Sequence, residues 1–274
     1  MKLRELFFKA KSQLDDFTTI EDIYWLIEDV YHYSRGEVPM HYEDEIDDFV
    51  FFSLFERLKK EPIQYVLGYG YFLGEKFTVS KDVLIPRNET EELVILLKNI
   101  IKTKGYKSIL DIGVGSGAIL LSIEKELKKE NININGLGVD ISSKALEIAH
   151  INKEKFNLNS KLIISDVYEN VDSKFDVIVS NPPYIDEEEF VEERVKANEP
   201  HSALYAKDKG MYVYKKILKD ASSYINEKGI IAFEISPERE EDIRNYTDMY
   251  VNYEKIEFIK DINGFTRFCL IYIK

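Results

Sequence analysis

One cysteine stands in 274 residues. Cys269 alone excludes an intramolecular disulfide and any zinc site built from several thiolates. Its place inside an apolar, strand-like run assigns it to packing rather than catalysis. No apolar run approaches the length needed to span a bilayer. The amino terminus, Met1-Lys2-Leu3-Arg4-Glu5, mixes charges ahead of an amphipathic pattern where a signal peptide would carry an apolar core, so a cytoplasmic location is expected. There is no internal repeat and no low-complexity segment. Positive charge is scarce: 37 Lys and Arg against 50 Asp and Glu leave a net charge of −13. That balance argues against tight, nonspecific binding to nucleic acid, because phosphate attraction needs clustered cations. A basic protein partner suits such a surface better.

What is present, 45% hydrophobic and 32% charged residues, places the chain in the globular class. Its length fits one catalytic domain with a smaller second module. The first part reads as helices. Leu3, Leu6, Phe7, Ala10 and Leu14 recur at helical spacing, followed by Ile20, Ile23, Tyr24, Ile27, Val30 and Tyr31. A third helix is expected over about residues 43–59 with Ile46, Phe49, Val50 and Phe55 inward, so the three make a small bundle. Between Pro62 and Ser80, Gly68, Gly70 and Gly74 alternate with aromatic residues, as in a hairpin. Asn88 with Glu91 three residues on offers a capping box, predicting a helix from near Glu89 with Leu93, Leu96, Leu97 and Ile100 inward.

From Ser108 the rhythm changes. Apolar runs at 108–112, 136–139, 161–164, 175–179 and 229–235 alternate with helical patterns, predicting an α/β fold with a mostly parallel sheet covered on both faces. The last two runs, 253–259 and 265–273, are parted only by a turn at Asn263-Gly264 and read as a carboxyl-terminal antiparallel hairpin.

Two segments carry chemistry. Asp111-Ile112-Gly113-Val114-Gly115-Ser116-Gly117-Ala118 follows a predicted strand and opens a helix. Its glycines allow a tight turn and close approach of the backbone to a ligand, beside the free N–H groups of a helix start. Asp140 ends the next strand, where a carboxylate can accept both hydroxyls of a ribose. Asp166, after the third strand, is placed to orient an adenine amino group. The loop alone does not separate a nicotinamide cofactor from S-adenosylmethionine.

The fourth strand then runs into Ser180-Asn181-Pro182-Pro183-Tyr184, where open parallel sheets place their catalytic residues. This loop suits an acceptor whose lone pair is delocalised and must be aimed. Asn181 can accept one N–H through its side-chain oxygen and the Pro182 carbonyl a second, while Tyr184 can cover the plane of the NH2 group.

At these residues the chain resembles the class I, Rossmann-like methyltransferases, and specifically the release factor glutamine methyltransferases, the PrmC/HemK family. The likeness spans nearly the whole length. It includes Glu61-Pro62-Ile63-Gln64-Tyr65-Val66-Leu67-Gly68, Leu84-Ile85-Pro86-Arg87-Asn88-Glu89-Thr90-Glu91, the 111–118 loop, residues 181–185, and Glu199-Pro200 with Ala203-Leu204. The resemblance implies methyl transfer from S-adenosylmethionine, without a metal, to the side-chain nitrogen N5 of the Gly-Gly-Gln glutamine in bacterial class 1 peptide-chain release factors. It also implies cofactor contacts at Gly113, Val114, Gly115, Ser116, Gly117, Asp140, Asp166, Val167 and Asn181, and a glutamine pocket formed by Asn181, Pro182, Pro183 and Tyr184. Residues 1–68 would then form a helical substrate-recognition domain, 69–85 a hairpin linker and 86–274 the methyltransferase domain.

Several positions depart from the family pattern. Asn88 stands for a common Pro, Val114 for a frequent Thr, Ser236 for a frequent Gly after Phe-Glu-Ile, and Ala206-Lys207 for a common Gly-Gly pair. Arg87 is open to two readings, a ligand contact or a structural ion pair. The competing function is an exocyclic amino methyltransferase acting on adenine in DNA or RNA, since an aromatic amine poses the same geometric problem to a similar Asn-Pro-Pro-Tyr loop. The negative charge and the amino-terminal module weigh against it, and no direct nucleic-acid binding is expected. A binding-only reading would need a degraded substrate loop, and this loop is intact.

Overall fold

The computed structural model describes residues 1–186, 189 and 193–274. The chain divides into two compact units, one formed by Met1–Tyr69 with the short helix Glu193–Asn198, the other by the rest from Gly70 onward.

In the first unit, α1 (Leu3–Lys11), α2 (Ile20–Tyr31), α3 (Phe49–Leu58) and α4 (Ile63–Leu67) bury one stripe each around Leu6, Ile23, Leu26, Ile27, Phe51 and Phe55. Thr19 caps α2 and exchanges hydrogen bonds with Asp22 in a capping box. The third helix starts later than its periodicity suggests, at Phe49, and a 3-10 turn at Val38–His41 precedes it. Its inward stripe is Phe51, Phe55 and Leu58, whereas Phe49 and Val50 are 78% and 50% exposed. Phe51 and Phe55 lie four residues apart, one helical turn, and Phe49 and Val50 fall off that face.

The second unit begins within the hairpin of β1 (Tyr69–Phe72) and β2 (Glu75–Thr78), and α5 (Asn88–Lys104) follows. Phe72 and Phe77 of the hairpin are fully buried in the larger core with Leu93 and Leu97 of α5. The helix cap differs from the expected box: Asn88 is already helical and Arg87 holds the cap position without a side-chain bond. Glu91 instead accepts the backbone N–H of Leu73 at 2.7 Å, so its carboxylate is spent on the hairpin turn.

Then come β3 (Ser108–Ile112), α6 (Ala118–Lys129), β4 (Asn135–Asp140), α7 (Ser143–Lys155), β5 (Lys161–Ile164) and β6 (Phe175–Ser180). After the short helices α8 (Glu193–Asn198) and α9 (His201–Leu204) follow α10 (Tyr212–Tyr224), β7 (Ile225–Glu234), α11 (Glu240–Tyr250), β8 (Tyr253–Lys260) and β9 (Thr266–Ile273). The seven strands are ordered β5-β4-β3-β6-β7-β9-β8. Strands β5 to β7 in that order are parallel, and β9 pairs antiparallel with both β7 and β8. Apolar clusters occupy both faces, which is why the parallel strands read as continuous rather than alternating apolar runs. The order reverses between β3 and β6, and the carboxyl ends of the strands on either side of that point converge on one crevice.

Candidate active site

The crevice is a cavity of about 510 Å³ at the carboxyl ends of β3, β4, β5 and β6. Its first wall is the loop after β3. Gly113, Gly115 and Gly117 all have positive φ, which explains why this turn is written in glycine. Gly113 and Val114 donate their N–H groups to the Val139 carbonyl at 2.8 and 2.9 Å, tying the loop to β4. A Cβ on Gly113 would meet nothing within 4 Å, so the space beside it is open. At Gly117, by contrast, a Cβ would collide with the Leu121 side chain. Gly113, Val114, Gly115 and Ser116 line the cavity; Gly117 does not.

The loop is braced from behind by Asn152 of α7, which is fully buried. Its amide donates to the Ser116 carbonyl at 2.9 Å and exchanges hydrogen bonds with the backbone of Thr78 at 2.7 and 3.0 Å. Hairpin, glycine loop and helix are thus joined by one side chain. No sequence spacing marks Asn152, although a buried amide among helix residues is the kind of group that must find backbone partners.

Asp140 lines the cavity from the end of β4. One of its oxygens accepts the N–H of Gly115 at 3.0 Å and the other that of Ser142 at 2.9 Å. Burial raises its carboxyl above its ordinary value, opposed by hydrogen bonds from the backbone of Ser142, Gly115 and Ile141. A carboxylate has about four acceptor sites, so these backbone bonds leave acceptor capacity facing the cavity. Asp166 and Val167 line the cavity farther along. Asp166 pairs with Lys216 of α10 at 2.7 Å, and Val167 holds a left-handed φ of 56°. Lys216, itself a lining residue, carried no sequence signal.

Asn181, Pro182 and Pro183 also line the cavity, and Tyr184 stands outside the lining. The Ser180 hydroxyl, fully buried, donates to the Ile112 carbonyl at 2.6 Å, locking the ends of β6 and β3 together just before the loop. Beyond it, Ile185 donates to the Leu204 carbonyl at 3.1 Å and accepts from Ala206 at 3.0 Å. Tyr184 packs against the cluster that holds Tyr214 and Phe233, and burial raises its phenol above the usual value.

Arg87 also lines the cavity and forms an ion pair there. Its Nη2 donates to both carboxylate oxygens of Glu199 at 2.6 and 2.8 Å, and the Glu199 side chain is 1% exposed. The pair joins segments 112 residues apart in sequence.

The chemistry of this lining fits S-adenosylmethionine. An open glycine cradle lies beside a half-buried carboxylate with spare acceptor capacity, and apolar Ile141, Ala145 and Val167 line the same cavity. Among the described residues no group of His, Cys, Asp or Glu could hold a metal ion, and no helix is long and apolar enough to cross a membrane.

Residues 93–265 match the family described as Methyltransferase small domain. A release factor glutamine methyltransferase of Staphylococcus aureus is 33% identical over 89% of this chain and 88% of its own. The protein of the same description from Haemophilus influenzae is 36% identical over 88% of this chain and 87% of its own. Among solved structures, the hMettl16 catalytic domain in complex with a 3′UTR hairpin superposes with a TM-score of 0.56 at 13% identity, covering 73% of this chain and 76% of that one. This last is a likeness of fold alone.

Proposed function

The chain belongs to the release factor glutamine methyltransferases, and on that premise we propose that Asn181 and the Pro182 carbonyl aim a glutamine side-chain amide into the crevice beside the glycine loop. The protein is an S-adenosylmethionine-dependent methyltransferase that methylates glutamine in peptide-chain release factors. The adenine alternative is not favoured. We assign the target as N5 of the Gly-Gly-Gln glutamine in bacterial class 1 factors, as the sequence resemblance implies.

The observation that carries the site assignment is the position of Asn181. It follows β6 at the strand-order reversal and faces the same cavity as Gly113–Ser116 and Asp140. A carboxamide nitrogen is a poor nucleophile because its lone pair is shared with the carbonyl, so orientation must supply much of the rate. The Asn181 side-chain oxygen accepts one N–H and the Pro182 carbonyl the other, fixing the NH2 plane. Pro182 and Pro183 add stiffness without competing donors. S-adenosylmethionine, when bound, supplies the electrophilic methyl on a sulfonium. Gly113, Val114, Gly115 and Ser116 would hold it by backbone approach, Asp140 by its remaining acceptor capacity, and Asp166 with Val167 at the base. The methylated nitrogen loses its proton to water after transfer, so the site needs no strong base.

The helical unit is proposed to hold the release factor. A net charge of −13 supports a basic protein partner rather than nucleic acid. The decisive experiment is mass spectrometry of a release factor incubated with the enzyme and S-adenosylmethionine. One added methyl on the Gly-Gly-Gln glutamine is expected; methylation elsewhere, or of nucleic acid only, would overturn the assignment.

A further inference from the structure

A carboxylate that the orienting scheme does not use lies directly behind Asn181. Strand β7 runs Ile230-Ile231-Ala232-Phe233-Glu234, four fully buried apolar residues and then a glutamate that is itself only 3% exposed. Phe233 is the register partner of Ser180, so Glu234 stands level with Asn181 at the ends of adjacent parallel strands. Its carboxylate accepts the Thr90 hydroxyl at 2.7 Å, and the Asn181 side chain faces it as a donor that favours the charged form. The Tyr214 hydroxyl donates to its backbone carbonyl at 2.7 Å, fixing the strand end.

We propose that Glu234 is a positioning residue for the methyl-accepting amide: by accepting from the Asn181 NH2 group it fixes which way the Asn181 amide is turned and leaves the Asn181 oxygen for the substrate. The proposal rests on the role assigned to Asn181 above. The two ends of an Asn amide have nearly the same shape, and a half-turn would present its NH2 to the NH2 of the substrate, donor against donor. Shape cannot prevent that turn. A buried partner that only accepts can, and an ionised carboxylate is the side chain with acceptors and no donor. A hydroxyl in the same place could accept or donate and would tolerate either orientation.

The same geometry makes the arrangement sensitive to protonation. Burial pushes the Glu234 carboxyl up to about 7, against the hydrogen bonds from Thr90 and Asn181 and the charge of Arg267. The charged and titratable groups that face it are Glu89 from α5, Arg267 from β9, Tyr184 from the substrate loop and Tyr214 from α10. Once protonated, Glu234 carries an O–H that donates to the Asn181 oxygen, drawing away the acceptor that the substrate needs. Methyl transfer should therefore fall on the acid side as Glu234 takes up its proton.

The test measures kcat and KM for the release factor from about pH 5 to 9 in the wild type, Glu234→Gln, Glu234→Ala and Thr90→Val, with cofactor affinity by calorimetry. Glu234→Gln cannot titrate and, like the protonated carboxyl, can donate as well as accept, so it should show a lowered kcat at neutral pH with no acid limb. Glu234→Ala should lower kcat at least about tenfold through the misplaced amide, with KM and cofactor affinity little changed. An acid limb that persists in Glu234→Gln overturns the proposal, as does wild-type kcat in a folded Glu234→Ala enzyme. If the alanine variant does not fold, the glutamine pH profile decides. Normal turnover in Asn181→Ala would instead remove the underlying role of Asn181, which keeps the two failures apart.

Discussion

A Cβ built on Gly210 would lie 2.7 Å from the carbonyl carbon of Tyr184 and 3.2 Å from its Cα, and would overlap the carbonyl oxygen. Gly210 also has a φ of +77°, where an L side chain is strained. The turn before α10 is thus pressed against the backbone of the substrate loop, and the bonds between Ile185, Leu204 and Ala206 hold the two together. Gly210→Ala should push the loop outward. We expect methyl transfer to drop at least about tenfold, since small misplacements at a reacting centre cost that much, with cofactor affinity changed less. Steady-state kinetics and calorimetry on the folded variant check this; an unchanged kcat would show that the loop is not braced by this contact.

Asn181→Ala removes an aiming acceptor. The loss should fall on methyl transfer, roughly a hundredfold or more, and weigh less on cofactor affinity. Asn181→Asp should not rescue it, because a second carboxyl then faces Glu234 in a buried site and no NH2 group remains to donate. Single-turnover methylation of the release factor, followed by mass spectrometry, separates these outcomes.

At Asp140 the structure adds a condition to the cofactor assignment. Asp140→Ala should weaken S-adenosylmethionine binding by about 1.5–3 kcal/mol, the usual worth of hydrogen bonds to a charged group. It also releases the N–H groups of Gly115 and Ser142. Asp140→Asn keeps two of those acceptor sites at most and should fall between alanine and wild type. Equal calorimetric affinities for all three would remove Asp140 from the cofactor site.

Arg87→Ala leaves the Glu199 carboxylate buried without its cation. Breaking a buried pair on one side costs about 3–5 kcal/mol, and the partly exposed Arg87 side chain places this case at or below the lower end. Replacing both partners with leucine should recover much of the loss. Chemical denaturation of the single and double variants gives the comparison. Equal stabilities for wild type and Arg87→Ala would mean that solvent reaches Glu199.

Asp111 lies beneath the glycine loop, 1% exposed, with one oxygen accepting from the Leu120 N–H at 3.2 Å and the other unpartnered among the described residues. Burial, the first cause, and the nearby charge of Asp140 raise its carboxyl from 3.8 to about 7. The folded state therefore binds more protons than the unfolded state within that window, and stability falls as pH rises through it. Asp111→Asn retains an acceptor for Leu120 and cannot ionise. Its melting temperature relative to wild type should be higher at pH 8 than at pH 4; a difference that does not change with pH would rule out the Asp111 titration.

The sequence by itself determined the alternation of strands and helices, the closing hairpin, the glycine loop and the Asn-Pro-Pro-Tyr segment, because each is a local pattern. A run of glycines needs no distant partner to turn tightly, and two prolines stiffen the backbone wherever they stand. The missed cap at Asn88 and the exposed Phe49 and Val50 mark the limit of such reading, since caps and inward faces depend on what lies opposite. Glu91 is drawn to the Leu73 N–H, a partner 18 residues away, which no spacing rule contains. Glu234 was visible as a charge within an apolar run, but its meeting with Asn181 required the register of β6 against β7. Arg87 with Glu199, Asn152 with Ser116 and Gly210 with Tyr184 were likewise decided only by tertiary structure. Their partners are remote in sequence, and it is the folded sheet that brings the strand ends and their loops within hydrogen-bonding distance around one crevice.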